Sequence, residues 1–126
     1  MLYLNLSSTD SLPYHPQNNS FDFTVDLPEP IVGKYSCALL DFFCEAATFE
    51  TLYILCDICE PEFVLDSVRP LLRIINESGE VTNIHFKPVQ RQQIKRIHVC
   101  LRNRNFEIPS NPIGRVRMTI ALEEIV

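Results

Sequence analysis

The chain has 126 residues, a formal net charge of −5, 46% hydrophobic residues and 21% charged residues. This composition excludes a disordered tail and a coiled coil, and no run approaches the roughly 20 apolar residues that a membrane-spanning helix needs. Nine prolines against three glycines punctuate the chain mostly by proline, which suits many short strands better than long helices.

The dominant hydrophobic period is two. Leu2, Leu4 and Leu6 alternate with Tyr3 and Asn5, and residues 7–20 read as a polar loop holding Pro13 and Pro16. Phe21, Phe23, Val25 and Leu27 then alternate with Asp22, Thr24 and Asp26. This is the clearest half-buried strand, and Pro28 and Pro30 should stop it. A third run covers residues 35–43, with Cys37, Leu39 and Asp41 on one face and Ala38, Leu40 and Phe42 on the other. Residues 52–59 are almost continuously apolar, as for a strand buried on both faces.

Residues 61–67 fit either one helical turn or a loop. Residues 71–75 and 81–86 flank Asn76-Glu-Ser-Gly79, a turn signal, and read as a hairpin that Pro88 ends. Ile97, Val99 and Leu101 alternate with His98, Cys100 and Arg102, and Val116, Met118, Ile120 and Leu122 with Arg117, Thr119 and Ala121. Eight strands and no convincing amphipathic helix predict an all-β domain over residues 1–126. The expected architecture is a single eight-stranded antiparallel jelly roll, a two-sheet sandwich. An immunoglobulin-like sandwich is the alternative, weakened by the absence of Trp and of a Cys pair at sandwich spacing.

Five cysteines, at 37, 44, 56, 59 and 100, and an N-terminus without a basic leader segment argue for a reducing compartment, free thiols and no secretory route. Cys56-Asp-Ile-Cys59 is formally a C-x-x-C. On a strand, however, positions three apart point to opposite faces, so the two thiols should diverge. The three histidines are scattered, no Ser-His-Asp order appears, and glycines at 33, 79 and 114 make no phosphate-binding loop. No enzyme, cofactor or metal is expected.

Charge is divided unevenly. Residues 1–63 carry ten acids and one base, a net −9, and residues 64–126 carry ten bases and six acids, a net +4. Such a split suits either solvated strand faces or head-to-tail pairing between copies.

Particular strings add a family resemblance. Leu2-Tyr-Leu-Asn-Leu-Ser-Ser8, Tyr14-His-Pro-Gln-Asn18, Phe23-Thr-Val-Asp-Leu27, and Gly33 with Tyr35 and Leu39 resemble the opening of small proteins carried by Polinton (Maverick) elements. Leu52-Tyr-Ile-Leu-Cys-Asp-Ile-Cys-Glu-Pro61, then Asp66-Ser67 and Pro70-Leu-Leu-Arg-Ile74, is similar to the most recognisable segment of that family. The last third is similar in order too, through Phe86, Pro88-Val89, Ile97, Arg102, Pro109 and Gly114. These proteins resemble the penton, or minor capsid, proteins of Polinton-like and adintovirus-like DNA viruses. The resemblance implies a single jelly roll that assembles as a homopentamer at icosahedral vertices, touches the major capsid protein and resides in the virion capsid. Only residues 44–51 lie where the family commonly carries a longer stretch, which implies a bare jelly roll without an inserted tower.

Several residues are candidates for function. Asp57 and Arg73 are charged residues inside apolar runs, so Asp57 or Glu60 is expected to pair with Arg73, within the subunit or across a boundary, unless both are solvated. Arg91, Lys95, Arg96, Arg102 and Arg104 form a basic cluster, which could meet packaged nucleic acid or an acidic neighbour, or simply face solvent. No aromatic residues interleave with it, which weakens single-strand binding. Phe42 and Phe43 are adjacent, so one of them should be exposed to a partner. Two other roles fit the same fold: a host-domesticated capsid-derived protein, and a ligand- or receptor-binding module. The second would need exposed aromatics in a concave face or an acidic calcium-type loop.

Overall fold

A computed structural model describes residues 1–125 and contains, among them, ten strands and no helix. The strands are β1 (Leu2–Ser7), β2 (Asp22–Val32), β3 (Tyr35–Cys44), β4 (Leu52–Cys56), β5 (Glu62–Val64), β6 (Ser67–Arg69), β7 (Leu71–Ile75), β8 (Lys87–Pro88), β9 (Gln93–Arg102) and β10 (Val116–Glu124). All pairings between them are antiparallel. One sheet has the order β1-β10-β3-β8, a second β2-β9-β4-β7, and β5 and β6 form a small separate hairpin. The all-β expectation holds, with ten strands in place of eight.

The two larger sheets form a sandwich-like pair. Leu6, Leu39, Met118 and Ile120 from the first share one buried cluster with Phe23, Ile54, Ile97 and Leu101 from the second. The alternation along β9 and β10 supplies this face directly, because every second side chain of a strand points the same way.

Three irregularities change what alternation alone predicts. On β3, Thr119 pairs with Asp41 but Ile120 pairs with Leu39, so Leu40 is an extra residue. This bulge inverts the facing of the residues beyond it. Cys37 and Leu39 point into the core, and after the bulge Phe42 and Cys44 do, while Asp41 and Phe43 are exposed. Without the bulge Asp41 would be driven into the core.

On β2, Asp26 pairs with Arg96 and Ile31 with Ile94. The prolines therefore do not stop the strand. Pro28 and Pro30 sit in the stretch of this edge strand that has no partner on β9, where missing N–H donors break no ladder. On β7, Arg73 pairs with Ile54 and Leu71 with Leu55, so Leu72 and Arg73 lie together opposite Ile54. Leu72 fills the core and Arg73 turns aside.

The expected hairpin between residues 71–75 and 81–86 does not form. Residues 81–86 lie outside the strands, Asn83 takes a positive φ of 54°, and the chain crosses to the first sheet, where Lys87–Pro88 pairs with β3. The Arg73 guanidinium holds this crossing by donating to the carbonyls of Thr82 and Asn83, the latter at 2.9 Å. The 61–67 segment is neither a helical turn nor an open loop. Glu62–Val64 and Ser67–Arg69 pair as β5 and β6 around Leu65.

The two cysteines of the C-x-x-C motif do not diverge. β4 ends at Cys56, and the Cys59 N–H donates to the Cys56 carbonyl at 3.0 Å, so a turn replaces the expected strand. Both side chains are buried, and the Cys59 Sγ lies 3.5 Å from the Cys37 Sγ of the opposite sheet. The Cys37 and Cys56 thiols and burial together push the Cys59 thiol far above its ordinary range. These are thiols of the core.

Candidate functional site

The polar outer face of the second sheet gathers most of the charged residues that the sequence singles out. Its main axis is the β2–β9 ladder, in which the acidic first half of the chain meets the basic second half. Asp26 stands directly opposite Arg96, and their side chains meet at 3.4 Å. Asp26 also meets the His15 Nε2 at 3.1 Å. Arg102 donates to Asp22 at 3.1 Å and to the carbonyls of Phe21 and Leu101 at 3.0 and 2.9 Å.

Asp57 stands just beyond β4. It accepts the backbone N–H of His98 at 2.9 Å and pairs with Arg91 at 3.2 Å. The expected partner of Asp57, Arg73, is instead occupied with main-chain carbonyls, and Glu60 is exposed on the surface. The Asp57/Glu60–Arg73 pair is therefore absent within the chain. The physical reason is register: Asp57 falls beside β9, whereas Arg73 lies on the opposite edge of β4.

The basic cluster is likewise dispersed. Arg91, Arg96 and Arg102 each have an acidic partner inside the chain. Among the described residues, Lys95 and Arg104 are exposed with no such partner. Three of the five bases are thus neutralised locally, which leaves little field to attract nucleic acid.

Asp22 collects a second group of side chains. Asp22 pairs in register with Cys100, and His98 is two residues along β9 on the same face. Asp22 Oδ1 is hydrogen-bonded to His98 Nε2, and the Cys100 Sγ lies 3.7 Å from that nitrogen. Burial opposes ionisation of Asp22, but the hydrogen bonds from His98 and Arg102 outweigh it and hold the carboxyl below its ordinary range. Burial first, and then the Asp22 charge, push the Cys100 thiol up to about 11. Sequence spacing missed this group because Asp22 and His98 are 76 positions apart. The His-x-Cys spacing on an alternating strand was its only local signal.

Apolar surface lies elsewhere. Phe42 is largely buried and meets Phe49 edge-on, with ring centroids 5.8 Å apart. Phe43 is 47% exposed, with the Arg117 guanidinium 4.7 Å above its ring. Both line an open groove of about 600 Å³ on the first sheet, together with Asn5, Asp41 and Thr119. At the β5–β6 hairpin, Phe63 is 87% and Leu65 66% exposed, with Val68 beside them.

That hairpin is firmly seated. Val64 packs on Leu55 and Leu71, and Glu62 pairs with Lys87 at 2.8 Å. Arg69 lies over the Phe106 ring at 4.2 Å, and that ring meets Tyr53 edge-on. Leu65 itself has a φ of 56°. The left-handed region is unfavourable for a residue with a branched side chain, and strain of this kind concentrates where function demands it. No protein-family model, curated protein or solved structure matches this chain.

Proposed function

We propose that this chain is a structural capsid protein of the penton type, a single jelly roll that assembles as a homopentamer and contacts a major capsid protein around it. Two lines support the jelly-roll part. The sheet orders β1-β10-β3-β8 and β2-β9-β4-β7 alternate the chain between layers, as two interleaved Greek keys require, with β5–β6 as an insertion between β4 and β7. The ordered strings of the sequence point the same way. The fivefold number, the major-capsid partner and the place in the virion rest on the family resemblance alone.

The observation that carries the assembly reading is the β5–β6 tip. It presents Phe63, Leu65 and Val68 to solvent on a hairpin whose base is anchored. Contiguous exposed apolar side chains on a well-packed base mark contact sites. The chain acts through contact and not through chemistry, and the charge pairs of the second sheet serve its own fold. The subunit boundary is accordingly apolar at its centre, not the acidic-to-basic contact that the charge split suggested. If the same patch of each copy meets a different patch of the next, the contact is heterologous, and it closes into a ring when the rotation from copy to copy divides the full turn.

Light scattering across a concentration series tests this. The expected species has five times the 14.5 kDa protomer mass, and Phe63→Ser with Leu65→Ser should return it to a monomer without loss of fold. A wild-type chain that stays monomeric alone and with a major capsid protein overturns the reading.

A further inference from the structure

We propose that Asp22, His98 and Cys100 form a binding site for a borderline-soft divalent cation, Zn²⁺ by preference. This goes beyond the assembly reading and does not depend on it.

Three kinds of donor converge there, a carboxylate oxygen, an imidazole nitrogen and a sulfur, and their ligand atoms all lie within 4.8 Å of one another. Zinc takes this mixture of O, N and S ligands at about 2.0–2.3 Å in tetrahedral sites. Atoms at such distances from one centre stand roughly 3–4 Å from each other. The 3.7 Å between Cys100 Sγ and His98 Nε2 already meets that requirement, whereas Asp22 Oδ1, hydrogen-bonded to the same nitrogen, must draw back as the ion takes the place of the shared proton. The ladder fixes the backbones, since Asp22 and Cys100 are directly opposed and His98 lies on the same face.

Arg102 does not block the site. It occupies Asp22 Oδ2, while Oδ1 faces His98. Its guanidinium is fixed by two main-chain carbonyls, so it orients the carboxylate as an outer-shell partner does in metal sites. With Cys100 as thiolate and His98 neutral, the two anionic ligands balance the ion. The thiol proton leaves to the buffer, and the imidazole proton resides on Nδ1 so that Nε2 presents its lone pair. The Asp22 and His98 side chains are each 40% exposed, so the fourth coordination position opens to water. The sulfur and imidazole favour zinc or cobalt over magnesium or calcium, which prefer oxygen alone.

Cobalt(II) is the probe, because thiolate ligation gives a sulfur-to-metal charge-transfer band and tetrahedral geometry gives strong visible bands. The expected result is one equivalent of Co²⁺ per chain, displaced by Zn²⁺, with the charge-transfer band lost in Cys100→Ser. Asp22→Asn, which removes a direct ligand, should weaken Co²⁺ binding by more than the roughly ten- to hundredfold that loss of an outer-shell partner costs, and His98→Asn should abolish the tetrahedral bands. Circular dichroism of each variant controls for folding. Absence of a thiolate band in the wild type with excess Co²⁺ overturns the proposal. So does a band that survives in folded Cys100→Ser, which would assign the metal to the core thiols.

Discussion

The Asp57 carboxylate accepts the backbone N–H of His98 at 2.9 Å, and in return the Asp57 N–H donates to the His98 carbonyl at 3.1 Å. A side chain thereby continues the β4–β9 ladder one rung past the end of β4. Asp57→Ala leaves that N–H without its acceptor and frees Arg91. Urea unfolding should show a loss of about 2 kcal/mol, in the range for hydrogen bonds to a charged group. Arg73→Ala should act differently, speeding amide exchange in residues 76–86 while leaving the β4–β9 ladder protected.

Phe42 and Phe43 should separate cleanly in a truncation experiment. Phe42→Ala removes a buried ring packed on Phe49 and should destabilise by about 3 kcal/mol. Phe43→Ala removes an exposed ring and one cation–π contact and should change stability by less than about 1 kcal/mol. Equal effects would mean that the bulge at Leu40 does not set the facing of β3.

Leu65→Gly should raise stability by about 1 kcal/mol, because glycine adopts the left-handed region without a Cβ penalty. The same change removes an exposed apolar side chain from the hairpin tip. Thermal unfolding should therefore shift up while the assembled fraction falls, a divergence that a purely structural hairpin would not produce.

Acid should expose the contribution of Asp22. Its carboxyl is held below the ordinary value of 3.8, so the stabilisation is present above that value and is lost as pH falls through the depressed one. Unfolding midpoints of the wild type and Asp22→Asn, measured from pH 6 downward, should differ most above about pH 4 and converge below it.

The parts of the fold legible in the sequence are those where period two runs without interruption. Residues 22–27 and 116–122 lie on strands that place Phe23, Val25, Val116, Met118, Ile120 and Leu122 in the core, with Phe21 and Leu27 half-buried at its margin. Bulges were not legible. One extra residue inverts every later side chain on a strand, and nothing in the composition around Leu40 or Leu72 marks it. The Asp57–Arg91, Asp26–Arg96 and Asp22–Arg102 pairs were hidden for a related reason. A charge pair on a sheet is decided by which strands are neighbours and in what register, and both are properties of the whole chain. The C-x-x-C reading failed over a single boundary, since three further strand residues would have sent Cys59 to the other face.

β1 pairs with β10 along one side and presents its other side as a sheet edge. The remaining edges are poorly suited to receive another chain: β2 breaks register and carries two prolines, β7 is bulged, and β8 is two residues long. β1 is six residues long, in unbroken register, with no proline and no charged side chain. Among the described strands it is the rim best able to accept an added strand, main chain to main chain. A segment from another molecule laid there would widen the first sheet and leave the second untouched, giving the molecule a sticky flank and a protected one.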